Sequence, residues 1–290
     1  MISNTFLTFV KAAEYENFNY AAKVLNLTPS AISHAISKLE FELGVALFIR
    51  NKKGVKLTTE GRELLPYAKK IIEQEEELMQ KASQITGLIS GTIRIGTFSS
   101  VCKTLLPEII TKFTHNFPNA KIIVKQGGYA DVYNWIESGE VDLGFLPKTH
   151  CSTFDCEFLF QDELVCVLPK TFKSKHKNYI TFDEVRDMEL IRQPNENSIE
   201  EKIVQYEKKD DYGSTFILED DLSLLAIVET GIGFCIAPEL AIRGHDRNVS
   251  IKHFKPKEYR DIYLAWQKNK IVLPLTKEMK KYIVEYTNKL

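Results

Sequence analysis

The chain has 290 residues, 44 % of them hydrophobic and 27 % charged, with 38 basic against 39 acidic side chains. That size and composition can bury a proper core in about two domains, and excludes wholesale disorder, collagen-like repeats and a small disulfide scaffold. No apolar run approaches the roughly 20 residues that span a bilayer, so no membrane partner is expected. No leader pattern is visible over residues 1–15, and the five cysteines are scattered; both predict a reduced, cytoplasmic protein.

The near-neutral total hides a division. Residues 1–70 hold ten basic side chains against six acidic ones, and the remainder is net acidic. A basic head on an acidic body suits one end to an anionic polymer. Within the head, Phe6, Phe9, Val10 and Ala13 recur at helical spacing, with Asn4 as the expected cap. A second, shorter helix is expected after Asn19, with Ala21, Ala22 and Leu25 turned inward. Thr28 and Pro29 then form a helix start, since threonine accepts a free N–H and proline suits the first helical position. The third helix is expected to bury Ala31, Ile32, Ala35, Ile36 and Leu39 and to end at Gly44.

The face this third helix leaves outside is short and polar: Ser30, Ser33, His34, Ser37 and Lys38. A helix entering a groove about 12 Å wide to touch base edges or phosphates needs such a face. Two helices joined by a tight turn make a helix-turn-helix with the third helix as reader; a plain helical bundle with a solvated serine face is the alternative. Residues 47–50 and 55–58 read as strands flanking Asn51-Lys52-Lys53-Gly54, a hairpin whose tip carries Arg50, Lys52 and Lys53. Beside a reading helix, a basic hairpin can hold a phosphate backbone or enter a minor groove.

Residues 4–70 resemble the winged helix-turn-helix of the LysR-type transcriptional regulators. The matching stretches are Phe9-Val10, Phe18-Asn19-Tyr20-Ala21-Ala22, Leu25 and Ser30-Ala31-Ile32-Ser33. They continue through Ile36, Leu39-Glu40, Glu42-Leu43-Gly44-Val45, Leu47-Phe48, Arg50, Leu57-Thr58 and Gly61. The resemblance implies DNA contacts at Pro29, Ser30, Ser33, His34 and Arg50. Two positions depart from the family: Pro29 replaces a frequent glutamine, and His34 a frequent arginine or lysine.

From Thr58 the chain reads as one long helix to about Leu88. Leu64, Ala68, Ile71, Leu78, Ala82, Ile85 and Ile89 follow steps of four and three, interrupted only by Glu75, as in a coiled-coil seam. Leu65, Ile72 and Met79 add a neighbouring stripe. Pro66 predicts a helix start or a kink. A two-helix seam sets two reading helices side by side and predicts a two-fold symmetric, interrupted DNA site. The resemblance implies a homodimer through this helix, with dimers pairing into tetramers. Residues 86–91, with Gly87 and Gly91, read as a hinge.

Beyond Gly91 strands and helices alternate, implying a mostly parallel sheet. Strands are expected at 92–96, 121–124, 141–145, 164–168, 215–218, 234–236 and 262–266. Helices are expected at 104–117, around Val132 and Trp135, near 199–206, at 222–230 and at 277–288. The expected architecture is therefore α+β and multidomain: a winged helix-turn-helix at 1–58, a linker helix at 59–89 and a two-lobed α/β effector domain at 90–290. One lobe takes 90–161 with 267–290, the other 162–266. This resembles the family's effector domain, which shares the periplasmic-binding-protein architecture.

Open α/β sheets take ligands at the carboxyl ends of strands, where helix N-termini offer N–H donors. Here those ends are Phe98-Ser99-Ser100, Gly127-Gly128-Tyr129 and Leu146-Pro147 in one lobe. In the other they are Gln193-Pro194-Asn195 and the turn at Gly231. The resemblance implies effector contacts at Ser99 and Ser100, and Gly128 stands where a hydroxyl is common. Arg192 suits an anionic effector or, equally, a salt bridge.

No nucleophile elbow, Walker A or dinucleotide fingerprint occurs, and Gly231-Ile232-Gly233 alone reads as a turn. The six histidines show no metal-ligand spacing, so no metal or cofactor is expected. An ordinary loop outweighs a zinc or redox role for His150, Cys151 and Cys156, and buried packing outweighs a reactive role for Cys102. The sequence predicts a DNA-binding regulator modulated by a small-molecule effector, not an enzyme. The alternative is a small-molecule-binding protein whose head only oligomerises.

Overall fold

The computed structural model describes residues 3–51, 54–85, 90–192, 216–218, 220–244, 248–268 and 272–289. The chain forms two compact units, residues 1–91 and 92–290. Among the described residues no helix is long and apolar enough to cross a membrane.

The first unit opens with α1 (Ser3–Tyr15), whose Phe9, Val10 and Ala12 are buried. Asn4 lies inside α1 rather than capping it; its carbonyl accepts the Thr8 hydroxyl at 2.6 Å. The second helix, α2 (Phe18–Leu25), starts ahead of Asn19 because Asn17 is the better-placed cap. Its Oδ1 accepts Asn19 N–H at 2.9 Å and Tyr20 N–H at 3.1 Å. Ala21 and Ala22 are buried, which lets the neighbouring helices approach closely.

Asn26 takes the left-handed conformation (φ 54°), and Thr28 Oγ1 then accepts Ala31 N–H at 3.1 Å to start α3 (Pro29–Leu43). Ile32, Ile36 and Leu39 form the buried stripe; Ala31 is exposed and Ala35 only half-buried. The inward face is thus narrower than expected, which leaves more of α3 in solvent. Gly44 ends the helix at φ 72°.

Strands β1 (Phe48–Asn51) and β2 (Gly54–Leu57) form the antiparallel hairpin, with Phe48 opposite Leu57 and Asn51 opposite Gly54. Glu40 ties it to α3, its Oε1 accepting Leu47 N–H at 2.7 Å and Phe48 N–H at 3.2 Å. Val55 N–H donates to the Glu16 carbonyl at 2.9 Å, drawing β2 so close that a Cβ at Gly54 (φ 143°) would meet that oxygen at 2.5 Å. Only glycine fits there.

The long helix α4 (Thr59–Ile85) runs through Pro66 without restarting. The expected seam divides. Ala68 is buried in the core of the first unit, and Leu64, Leu65 and Ile72 pack against that core. Farther along, Ile71, Leu78, Met79 and Ile85 stand exposed, Leu78 by 68 % and Ile85 by 79 %. Ile89 lies outside the described residues.

Among the described residues, the second unit carries an eight-stranded sheet. Its first half contains β3 (Gly91–Thr97), α5 (Ser99–Thr104), α6 (Leu106–Asn116), β4 (Ala120–Gln126), α7 (Tyr129–Glu137) and β5 (Leu143–Pro147). The helix expected at 104–117 is two helices, and it starts earlier, because Pro107 enters at the first turn of a new helix. β6 (Asp155–Pro169) follows, then β7 (Tyr179–Ile180), α8 (Phe182–Val185) and β8 (Glu189–Leu190). We number the remaining elements α9 (Asp221–Glu229), β9 (Gly233–Pro238), α10 (Glu239–Ile242), β10 (Val249–Trp266) and α11 (Pro274–Thr287). The helix expected near 199–206, and residue 215 of the expected strand, lie outside the described residues.

Strand order is β4-β3-β5-β10-β6-β9-β8, with β7 also on β10. β3 and β5 are parallel, as are β8 and β9, but β5–β10, β10–β6 and β6–β9 are antiparallel. The sheet is therefore mixed, not mostly parallel, because the long β6 and β10 run through its middle as an antiparallel pair. Along β6, Leu164, Cys166 and Leu168 enter one core while Val165 and Val167 enter the other, as a period of two requires. In the first half, α7 presses on β5 so tightly that a Cβ at Gly144 would lie 2.4 Å from Ile136 Cδ1.

Candidate functional site

The first unit presents its polar surface on α3. Pro29, Ser30, His34, Ser37 and Lys38 are exposed and Ser33 is half-buried, on a helix whose other side is fixed by Ile32, Ile36 and Leu39. Arg50, exposed on β1, reaches back to this face. Its Nη2 donates to Ser33 Oγ at 3.0 Å, and its guanidinium lies 5.3 Å from the centroid of Phe18. The hairpin cation is thereby held beside the helix that the sequence singled out. Lys38 pairs loosely with Glu42 at 3.8 Å, both well exposed, a geometry worth little and easily exchanged for another anion. Lys52 and Lys53 lie outside the described residues; Lys56 is exposed on β2. Short hydroxyls, one imidazole and fixed cations can donate to phosphate oxygens and to base edges.

In the second unit, one of the expected effector residues, Ser100, borders a buried ion pair. Arg260 of β10 faces Asp162 of β6 directly across the ladder, and each is 4 % exposed. Asp162 Oδ2 accepts Arg260 Nε at 2.9 Å and Nη2 at 2.6 Å, while Oδ1 accepts Leu240 N–H of α10 at 3.1 Å. Arg260 also donates from Nη2 to Ser100 Oγ at 2.7 Å and from Nη1 to the Tyr129 hydroxyl. Its guanidinium lies 5.0 Å from the centre of the Phe98 ring, which meets Tyr129 edge-on. A buried charge is tolerated when it is paired and its remaining donors are used, as they are here.

A second bridge runs alongside. Ser99 Oγ donates to Asp221 Oδ2 at 3.2 Å, and Lys103 Nζ reaches the same oxygen at 3.0 Å. Lys103 also lies 3.4 Å from the Ala241 carbonyl. Asp221 begins α9, where a carboxylate suits the helix dipole, and Asp220 before it caps Leu222 N–H and Ser223 N–H. Hydrogen bonds from Ser223 hold the Asp220 carboxyl below its ordinary value. Ser99 thus joins the N-terminus of α5 to α9, and Ser100 joins it to β10.

The other expected contacts are placed less uniformly. Gly128 is exposed, its N–H donating to Asp131 Oδ2 at 2.9 Å as α7 begins. Pro147 is buried at the carboxyl end of β5, opposite Ile262. Gly231 (φ 88°) lies before β9, at the amino end of that strand, its N–H bonded to Val228 O at 3.0 Å. Gln193 and Asn195 lie outside the described residues. Arg192 is in a bridge with Ile217.

Sequence reasoning missed Arg260, Asp162 and Asp221. A signal existed for two of them. Counting back by twos from the inward Ile262 and Leu264 reaches Arg260, and from Leu164 reaches Asp162, so each charge shares a face with core residues. Among the described residues, no group of three His, Cys, Asp or Glu side chains could hold a metal ion.

Comparison with known proteins agrees with both units. Residues 3–62 match the bacterial regulatory helix-turn-helix protein, lysR family, and residues 86–288 match the LysR substrate binding domain. YvbU of Bacillus subtilis (strain 168), described as an uncharacterized HTH-type transcriptional regulator, is 28 % identical over 266 residues, 89 % of each chain. A full-length OxyR variant from Pseudomonas aeruginosa has the same fold, with a TM-score of 0.75 at 18 % identity over 99 % of this chain and 97 % of that one. Full-length CbnR complexed with its target DNA gives 0.56 at 18 % identity over 99 % and 100 %. The match of the head to a DNA-binding motif sets aside the reading in which it serves oligomerisation alone. The chain belongs to the LysR family of DNA-binding transcriptional regulators that carry an effector-binding domain, a family of regulators and not of enzymes.

Proposed function

We propose that two copies of this cytoplasmic chain, joined along the exposed stripe of α4, bring two α3 helices to an interrupted two-fold symmetric DNA site. The contacts come from Pro29, Ser30, Ser33, His34, Ser37 and Lys38, with Arg50, Lys52 and Lys53 holding phosphates. Dimers pair into tetramers. A small-molecule effector contacts Ser99, Ser100, Gly128 and Pro147, together with Gln193, Asn195 and Gly231. An effector that competes with Asp221 for Ser99 and Lys103 changes the relative stability of two arrangements of this domain. A ligand shifts such an equilibrium only by its differential affinity.

The observation that carries the DNA-reading part is the Arg50–Ser33 hydrogen bond, which fixes a cation beside an otherwise short-chained polar helix face. The test is a footprint on a bound duplex. Protection should fall in two halves related by a dyad, separated by a whole number of turns of about 10 base pairs. Binding should weaken steeply as salt rises. A single unsymmetric footprint would refute the paired arrangement.

A further inference from the structure

The five cysteines occupy three kinds of surroundings. Cys166 and Cys235 are fully buried in different cores of the sheet, where desolvation pushes both thiols well up. Cys102 is half-buried, and burial raises its thiol in spite of the neighbouring Lys103. Cys151 and Cys156 differ from all three because they meet each other. Cys151 closes the single turn Lys148–His150 that follows β5, its N–H returning to Lys148 O at 3.1 Å. Phe154 N–H then bonds back to Cys151 O at 3.2 Å, folding the chain so that Cys156, the second residue of β6, lies over Cys151.

The Cys156 sulfur is 3.5 Å from the Cys151 carbonyl oxygen and the Cys151 sulfur is 3.6 Å from the Pro147 carbonyl oxygen, so each thiol donates to a backbone carbonyl at the same turn. Both are partly exposed, and both pack at the edge of the cluster containing Val132, Ile136 and Phe154. Two partly exposed thiols held at one turn, with the Cys156 sulfur against the Cys151 backbone, are near enough for a local shift to bring them to disulfide geometry.

We propose that Cys151 and Cys156 form an oxidisable dithiol, closed to an intramolecular disulfide by a hydroperoxide and reopened by a small dithiol. The Cys156 thiolate attacks the terminal peroxide oxygen. An S–O bond forms, the O–O bond breaks, and the departing alkoxide or hydroxide takes up a proton. The resulting sulfenic acid at Cys156 is attacked by the Cys151 sulfur. An S–S bond forms, the S–O bond breaks, and water leaves with the Cys151 proton. The peroxide is reduced by the two electrons that the thiols give up.

The direction of attack follows from the contact. The neighbouring Cys151 side chain lowers the Cys156 pKa against the opposing effects of burial and Asp155, while the same interaction raises Cys151. Cys156 is thereby the more readily ionised of the two, and Cys151 is the resolving thiol. The site sits next to the candidate effector residues: His150 packs against Tyr129 and Tyr133, and the Tyr129 hydroxyl is held by Arg260.

The test uses the reduced full-length protein, hydrogen peroxide, alkylation of remaining thiols and peptide mass spectrometry. The proposal expects loss of two alkylatable thiols, with Cys151 and Cys156 recovered in one linked species lighter by two hydrogens and restored by dithiothreitol. Cys151→Ser should stop at a dimedone-reactive sulfenic acid on Cys156. Cys156→Ser should oxidise at Cys151 about tenfold more slowly or worse. The proposal is overturned if both thiols stay alkylatable while Cys102 reacts, if wild type stops at the sulfenic acid, or if Cys156→Ser oxidises Cys151 at the rate of the wild-type pair.

Discussion

Arg260 and Asp162 face each other across the two strands that run through the middle of the sheet, both excluded from solvent. Their remaining partners lie to either side: Ser100 and Tyr129 for the guanidinium, Leu240 N–H for the carboxylate. One ion pair therefore ties the N-termini of α5 and α7 to α10.

Removing one member of such a pair leaves the other charged and dry. Arg260→Met should destabilise the effector domain by about 3–5 kcal/mol, whereas Arg260→Met combined with Asp162→Leu should lose much less. The only two tryptophans, Trp135 and Trp266, lie in this unit, so their fluorescence during urea unfolding reads it selectively. Equal losses in the single and double variants would show that the pair is not what holds these elements together.

Arg50 is exposed and contributes little to the fold, so Arg50→Ala should leave thermal stability nearly unchanged. DNA affinity should fall, and the slope of log affinity against log salt should flatten by about one counterion. Ser33→Ala, which removes the brace and one hydroxyl contact but no charge, should weaken binding less and leave the salt slope unchanged. Fluorescence anisotropy with a labelled duplex across a salt series separates the two.

The division of the α4 stripe predicts opposite behaviour from two similar substitutions. Leu78→Glu, on the exposed part, should dissociate the assembly while the head stays folded. Ala68→Glu, in the core, should unfold the head by burying an unpaired charge. Sedimentation velocity and circular dichroism distinguish these outcomes. Unchanged sedimentation of Leu78→Glu would remove α4 as the dimer contact.

Glu163, next to Asp162 on β6, supplies a pH dependence. Burial acts to raise its carboxyl, but hydrogen bonds from Lys257 at 2.8 Å and His253 at 2.8 Å outweigh it, and the group lies below its ordinary value. A carboxyl depressed in the folded state stabilises it above the unfolded value and loses that contribution as pH falls through the folded one. Glu163→Gln should therefore lower the unfolding midpoint at neutral pH. The difference from wild type should shrink as the pH drops below ~4.3. A difference that stays constant down to acid pH would exclude the ionic contribution.

The head was largely legible because its signals are local. Thr28-Pro29 and Gly44 mark the ends of α3, and the Lys-Gly turn marks the hairpin. The start of α2 is set by Asn17 ahead of Asn19, which sequence does not distinguish, because capping depends on which side chain reaches the first free N–H groups and both residues are asparagine. In the effector domain the short strands and the amphipathic helices were legible, but the two long middle strands were not in full. The first half of β6 alternates charge with apolar residues, and β10 contains Pro256 at a register shift between His253 and Glu258, which argues against a strand. The residues that organise the candidate site lie in those two stretches. Their partners are 98 positions away for Asp162 and 160 for Ser100, a separation that no local pattern reports. The seam of α4 was readable as a stripe, but a stripe does not say which of its members a helix of the same chain will cover.

Selection of bound duplexes from a random DNA pool tests the central claim most directly. The account predicts enrichment of two half-sites in inverted orientation at fixed spacing, with enrichment lost in Arg50→Ala at moderate salt. Recovery of single, unpaired sites, or of an unenriched pool at low salt, would contradict it.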